Sequence, residues 1–396
     1  MDVSQLSAQL GSLVVFRELA RGPVLQKLND FLQTDGLPAD RQVTAYADFV
    51  AALFREGCDF GAWLLDAAAS DENAYVRLLA RNEPIPPALA ACADAELSIL
   101  ASLSSLTPDE LCARIPYSGY LPRFSCAPFD FRAAYARRMA DIRRTGWGVF
   151  AHHVMFGLRG EEIVPLRSPD PVRVADLVGY AREREQVLAN AEALLRGLPA
   201  ANALLVGDAG TGKSTTVKAV ANELAPRGLR LLEMRRDQLR SIPAVMEQLR
   251  ENPLRFILFI DDLSFSRIDD NFSALKAVLE GSATARSDNV ILCATSNRRH
   301  LVRESFSDRE AGDDVHRQDT MQELLSLSER FGLTISFSRP DKALYLEIVR
   351  ELARRKGVRL AGEALDREAE AFALRRGGRT ARAAEQFTDS LVAETR

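Results

Sequence analysis

One eight-residue stretch constrains this chain more than any other. Gly207-Asp208-Ala209-Gly210-Thr211-Gly212-Lys213-Ser214 spaces its glycines, lysine and hydroxyl as GxxxxGK[ST]. The apolar run ALLV precedes it and the helix-forming stretch STTVKAVANEL follows. A buried strand that feeds a helix through a glycine-rich loop belongs to an α/β fold. The same residues carry a chemistry. Glycines let the loop turn tightly, so that successive backbone N–H groups point at one spot. The helix N-terminus adds its partial positive charge. The stretch from Gly207 to Ser214, with Thr215 in the first helical turn, is therefore expected to hold phosphate. Lys213 suits β and γ phosphates and Ser214 suits Mg²⁺.

The rest of the chain agrees with that frame. After Trp147, short apolar runs alternate with amphipathic helices: ALLVG (203–207), LRLLEM (229–234), FILFI (256–260), NVILCATS (289–296) and LTISF (333–337). Runs of this length bounded by turn signals predict buried parallel strands with crossover helices between them. The first 150 or so residues read instead as helical. Tyr46, Phe49, Val50 and Leu53 fall on one helix face. Ser70-Asp71-Glu72 reads as a cap and first turn before Tyr75. IPYSGYLPRFSCAPFDF, rich in proline and aromatics, reads as a structured loop. Pro340 opens a helix that ends at Gly357, and two more helical segments follow. The expected organisation is a helical domain over 1–150, a nucleotide-binding core over 151–340 and a helical lid over 341–396.

Four further features can carry chemistry. FILFIDDL ends a strand in Asp261 and Asp262, on the crevice side shared with the phosphate loop. Asp261 suits Mg²⁺ and Asp262 the polarisation of an attacking water. Asn297 ends the strand NVILCATS, where an amide could orient that water; Asn after a strand is also a common turn residue. Arg330 ends a helix before LTISF, where it could equally complement the helix dipole. Arg379 and Arg382, in RRGGRTAR (375–382), share a face around a helix start. Positive charge there opposes the dipole and hints at a bound anion.

In this order, the motifs resemble an AAA+ ATPase. LPANALLVGDAGTGKST, FILFIDDLSF, LKAVLEG, ATSNRRHL, SLSERFGLTISF and GGRTAR are similar to the uncharacterised bacterial family called domain of unknown function 815. The resemblance covers about residues 150–396 and, more loosely, the helical N-terminal region. It implies an AAA+ P-loop NTPase: a parallel sheet with a helical N-terminal domain and a small helical C-terminal lid. It implies Walker A residues at Gly207 to Ser214, a Walker B pair at Asp261 and Asp262, and a sensor-1 residue at Asn297. It implies an arginine finger at Arg330 and a sensor-2 arginine at Arg379, or else Arg382. LVGYAREREQ resembles the stretch that holds adenine, so Val178, Gly179 and Tyr180 are candidates there. The implied cofactors are ATP and Mg²⁺. The implied activity is ATP hydrolysis that remodels a macromolecular partner, by a homo-oligomer whose ATP site is shared between subunits. The alternative is a nucleotide-gated adaptor or loader-like module with little turnover. A small-molecule kinase is disfavoured because the helical segment follows the sheet as a lid does. Two positions depart from common AAA+ patterns: Asp262 stands where many carry Glu, and MRRDQLRSIPAVM lacks the aromatic and glycine of a threading pore loop.

Composition closes other routes. A net charge of −4 over 396 residues argues against a basic nucleic-acid coat. Local clusters remain, namely Arg132, Arg137, Arg138, Arg143 and Arg144 with Tyr135 and Trp147, and Arg235, Arg236 and Arg240. Solvated helix faces explain them more simply, so nucleic acid is possible as a partner but not favoured. Five widely spaced cysteines without a CxxC pair predict reduced thiols rather than disulfides or a zinc site. There is no run of about 18 apolar residues and no basic, long-apolar leader. The expected location is cytoplasmic, with no membrane partner. The acidic, polar stretch 303–319 is expected to be a mobile loop.

Overall fold

The computed structural model describes residues 3–263, 275–276, 278–279, 288–297 and 329–394. The chain divides into two compact units, Met1–His152 and His153–Arg396. The acidic stretch 303–319 lies outside the described residues, as do parts of the motifs around 264–274, 298–301 and 326–328.

The first unit is helical. Its helix Ala39–Glu56 buries Tyr46, Phe49, Val50 and Leu53, the stripe that the spacing predicts. Phe49, Phe60 and Phe124 meet edge to face with centroids 5.6–6.0 Å apart. Phe124 comes from the proline- and aromatic-rich segment, whose Pro122 carbonyl accepts from the Tyr46 hydroxyl at 2.8 Å. That segment is thus held by the core although it forms no helix. The 18-residue helix Pro87–Ser104, mean hydropathy 1.2, is long and apolar enough on average to cross a membrane. It does so without an unbroken apolar run, because it contains Asp94 and Glu96. It buries Leu97, Leu100 and Leu103 in this unit, and the buried Glu96 carboxylate accepts the N–H groups of Val14, Val15 and Phe16 at 2.8–3.0 Å. The cap expected at Ser70 lies elsewhere. Ser70 ends the helix Phe60–Ser70, and Asn73 caps Ala74–Arg81 by accepting from Val76 N–H. An asparagine oxygen at that position satisfies an orphan donor that Ser70, three residues upstream, cannot reach.

The second unit is built on a seven-stranded sheet in the order β2-β1-β4-β5-β6-β3-β7. The strands are β1 Met155–Arg159, β2 Glu162–Pro165, β3 Ala203–Gly207, β4 Leu229–Met234, β5 Arg255–Ile260, β6 Val290–Ser296 and β7 Leu333–Phe337. β3 to β7 are parallel to their neighbours. Helices cover this sheet, which is why these strands read as unbroken apolar runs. β1 and β2 form an antiparallel hairpin at one edge, a pair the apolar-run pattern did not flag. Its two-residue turn begins with Gly160 at φ +65°, the left-handed start that a tight hairpin turn requires.

The strand order places the chemistry. β6 lies between β5 and β3, with Ile260 opposite Ala294 and Val206 opposite Ser296. The C-terminal ends of three neighbouring strands therefore open on one edge. They deliver the glycine-rich loop, the Asp pair and Asn297 together.

Three helices, Lys342–Arg355, Gly362–Arg375 and Ala381–Glu394, complete the unit. Tyr345, Ile348, Val349, Leu365, Ala369, Ala384 and Phe387 form their shared core. The first of these helices is capped by Asp341, whose carboxylate accepts from Leu344 N–H at 2.8 Å; Pro340 stands just outside it. MRRDQLRSIPAVM forms a 3-10 turn, Arg236–Ser241, and the helix Ile242–Arg250.

Candidate functional site

The loop after β3 depends on glycine for conformation and space. Gly207, Gly210 and Gly212 have φ of +148°, +78° and +90°. A Cβ on Gly207 would lie 2.0 Å from the Phe337 carbonyl oxygen, so the loop leaves β3 pressed against β7. Thr211, buried, ties the loop to itself by donating to the Asp208 carbonyl at 2.9 Å. Lys213 is the first residue of the helix Lys213–Leu224 and is only 5% exposed. Its ammonium donates to the carbonyls of Gly207 and Asp208, both at 2.8 Å, and to Asn297 Oδ1 at 3.0 Å. Burial draws its pKa below the usual lysine value, against the pull of Asp208, Asp261 and Asp262.

The carboxylates are fixed from β6. Asp261 Oδ1 accepts from the Ser214 hydroxyl at 2.5 Å and from the Thr295 hydroxyl at 2.6 Å. Thr295 Oγ1 in turn accepts from Asp262 N–H at 2.9 Å. Asp262 turns sharply, with φ +51°, and its Oδ1 accepts from Asn297 Nδ2 at 2.7 Å. Asn297 thus spends its oxygen on Lys213 and its amide on Asp262. It links the loop ammonium to the second carboxylate across the strand between them. Ser214 and Asp261 offer adjacent oxygen donors, the kind Mg²⁺ requires.

These groups line one end of a cavity of about 630 Å³, together with Ala209, Gly210, Gly212 and Thr215. The other end is walled by Leu177, Val178, Gly179 and Tyr180 from the chain and by Ile348 and Leu352 from the helical bundle. Gly179 has φ +74°, and a Cβ there would come within 3.0–3.2 Å of Leu344 and Ile348. Tyr180 donates its hydroxyl to the Ser338 carbonyl at 2.7 Å and packs on Phe337, ring centroids 5.3 Å apart. Burial pushes its pKa up.

The three arginines singled out from the sequence lie in different places. Arg382 lines the cavity, and its N–H donates to the Gly210 carbonyl at 3.2 Å. Arg379 is outside the cavity lining. It makes a two-pronged pair with Glu370, Nε to Oε1 at 2.8 Å and Nη2 to Oε2 at 2.6 Å, which holds the Glu370 carboxyl below its usual pKa. Arg330 stands before β7, whose first residue Leu333 lies opposite Ala203 at the foot of β3. The length of β3, about 13 Å at 3.3 Å per residue, separates that foot from Gly207.

Three residues were not singled out beforehand. Thr295 donates to the Asp261 carboxylate and accepts from the Asp262 backbone N–H. Arg339 donates to the Gly377 carbonyl at 2.7 Å and fixes the turn before Arg379. Arg184 lines the cavity; burial and then the neighbouring Arg355 lower its pKa. Each is a single polar residue with no spacing motif around it. Tyr135 and Trp147, the aromatics beside the first arginine cluster, are both buried in the helical unit's core and are not exposed for stacking on bases.

Parallel sheet, glycine-rich loop, strand-end carboxylates and a helical bundle over the loop define the P-loop NTPase fold of the AAA+ type. More specifically, the chain belongs to the family described as Protein of unknown function (DUF815), which matches residues 151–395. No curated protein matches it. Among solved structures, the Thermotoga maritima RuvB Holliday junction branch migration motor is 17% identical, with a TM-score of 0.38 over 55% of this chain and 63% of that one. A variant of that RuvB gives 19% identity and a TM-score of 0.39 over the same shares. This chain thus spans less than two thirds of the RuvB chains it matches.

Proposed function

We propose that the unit His153–Arg396 binds ATP with Mg²⁺, hydrolyses the β–γ phosphoanhydride and couples turnover to rearrangement of a macromolecular partner. In this reading 151–340 is the catalytic core, 341–396 the lid and 1–150 the partner-selecting domain. The observation that carries it is the connection Lys213–Asn297–Asp262, a phosphate-type ammonium bonded through one amide to a strand-end carboxylate. A merely structural lysine has no need of that carboxylate. Magnesium neutralises charge on the transferring phosphate when bound, and Ser214 and Asp261 are the residues to hold it. The amides of Gly207 to Ser214 and the Lys213 ammonium hold phosphate, with Thr215 in the same turn. Asp262 and Asn297 position the attacking water, Val178, Gly179 and Tyr180 receive the base, and Arg382 is the lid arginine nearest the phosphates. Arg379, bound to Glu370, sets the shape of the lid. Arg330, a strand's length from its own loop, acts on the site of the next subunit in a homo-oligomer.

A second reading, the nucleotide-gated adaptor, is favoured by one observation: Asp262 is already held by Asn297, and its side chain is short. Phosphate release per subunit separates the two readings. Lys213→Ala should abolish ATP binding; Asp262→Asn should keep binding and lose turnover. ATP affinity of Lys213→Ala equal to the wild type would sink both.

A further inference from the structure

The cavity end away from the phosphate loop contains a guanidinium with an unmet donor. Arg184 lies one turn into the helix Ala181–Leu195, its N–H donating to the Tyr180 carbonyl at 3.0 Å. Side chains on a helix lean toward its N-terminus, so Arg184 lies back toward Gly179 and Tyr180. It lines the cavity with Val178, Ile348 and Leu352. Its Nη1 is shielded from solvent and has no hydrogen-bond partner among the described residues. The neighbouring Arg355 donates to the Asp176 carbonyl at 2.7 Å. At this end of the cavity, Nη1 of Arg184 therefore lacks an acceptor among the described residues. Arginine has five donors and no acceptor, and a buried donor without a partner is costly. A ligand that supplies an acceptor here removes that cost.

We propose that Arg184 is the base-reading residue of the cavity. It donates to an acceptor on the edge of a purine seated against Val178, Tyr180 and Leu352 at this end of the cavity. The proposal rests on the nucleotide reading of the site and adds what selects the base. Adenine offers ring nitrogens such as N7 and N3 as acceptors, and the leucine, isoleucine and valine side chains of this wall have no donor to give them.

The test uses the full chain and calorimetric binding of Mg²⁺ with ATP, with tripolyphosphate, and with 1-deaza-, 3-deaza- and 7-deaza-ATP. Arg184→Gln should weaken ATP by about 10- to 100-fold, the worth of a hydrogen bond from a charged donor, and leave tripolyphosphate unchanged. In the wild type, one deaza analogue should lose a comparable factor, and it should lose nothing further in Arg184→Gln. An equal loss for tripolyphosphate would place the contact on phosphate and overturn the proposal. So would unchanged ATP binding in Arg184→Gln, or wild-type binding of all three analogues as tight as ATP. Arg184→Met checks for a structural role. Removing an unmet buried donor should leave the melting temperature of the nucleotide-free protein level or higher, and a clear fall would also overturn the proposal. Lys213→Ala keeps the two levels apart. If it loses ATP while Arg184→Gln retains it, only the Arg184 assignment fails; if it retains ATP, the phosphate-loop reading itself fails.

Discussion

Thr295→Val removes a single oxygen and keeps the shape of the side chain. The hydroxyl it deletes has two duties. It donates to Asp261 Oδ1 at 2.6 Å and accepts from Asp262 N–H at 2.9 Å. The side chain is only 1% exposed, so the methyl that replaces the hydroxyl leaves no room for a water in its place, although Asp261 and Asp262 themselves reach solvent. A hydrogen bond to a carboxylate contributes about 1.5 to 3 kcal/mol. Asp262 N–H retains only the weaker contact to Asp261 Oδ1 at 3.1 Å. The combined loss should be about 2 to 3 kcal/mol. For a unit of this size that lowers the melting temperature by about 4 to 12 °C. The functional effect should exceed the structural one. Without Thr295, Asp262 is less firmly held in its left-handed conformation, and misplacement of a catalytic group by about 1 Å costs up to about 100-fold in rate. Phosphate release should fall by about 10- to 100-fold while ATP affinity, which we assign to Lys213 and the loop amides, is retained. Thr295→Ser, which keeps the hydroxyl, should restore most of both quantities. Thermal unfolding without nucleotide, ATP binding and steady-state phosphate release read the three effects. If Thr295→Val melts and turns over like the wild type, the hydroxyl does not position the Asp261 carboxylate and the Asp262 backbone, and the reasoning fails.

Two further outcomes distinguish the arginines. Arg382→Ala should weaken ATP binding or slow turnover directly, because Arg382 lines the cavity, whereas Arg379→Ala should act through lid stability, lowering the melting temperature more than it alters ATP affinity. Binding and melting curves of the pair check this, and a larger affinity loss for Arg379→Ala would reverse the assignment. Arg330→Ala should bind ATP normally and lose turnover by about 10³- to 10⁵-fold, as for an arginine supplied in trans. Mixed with Lys213→Ala, it should regain part of the activity, and a mixture that co-assembles yet stays inactive would show that the site is not shared.

The central strands were legible because each is an apolar run of four to eight residues closed by a polar one, and a strand buried on both faces has little other choice. The glycine-rich loop was legible because its glycines answer a backbone requirement that few other sequences meet. The hairpin β1–β2 was not, since Gly157 interrupts the apolar run of Met155–Arg159 and its partner is only partly buried. Its signal was a single glycine, Gly160, between two ordinary stretches. The choice between Arg379 and Arg382 could not be made from spacing. Both sit near the start of one helix, and what separates them is Glu370, a residue on a different helix that engages the first. Thr295 and Arg184 were hidden for a related reason. A hydroxyl inside an apolar strand and one of the two arginines in AREREQ acquire meaning only when the sheet order brings a carboxylate beside one and the bundle closes over the other.

Gly210 has a further role, seen from the bundle side. A Cβ at this position, with φ +78°, would come within 3.2 Å of Arg382 Cβ and 3.5 Å of Thr380. The Gly210 carbonyl accepts the Arg382 N–H. The helix Ala381–Glu394 therefore rests its first turn directly on the loop. At 1.5 Å per residue its 14 residues make an arm of about 21 Å. A tilt of about 5° at the foot of such an arm moves its far end by about 2 Å. The loop is the fulcrum of this arm, and a shift of its backbone would grow along the helix. A side chain at 210 would strain a left-handed backbone and displace the Arg382 end of that fulcrum by a few tenths of an ångström, whatever the loop holds.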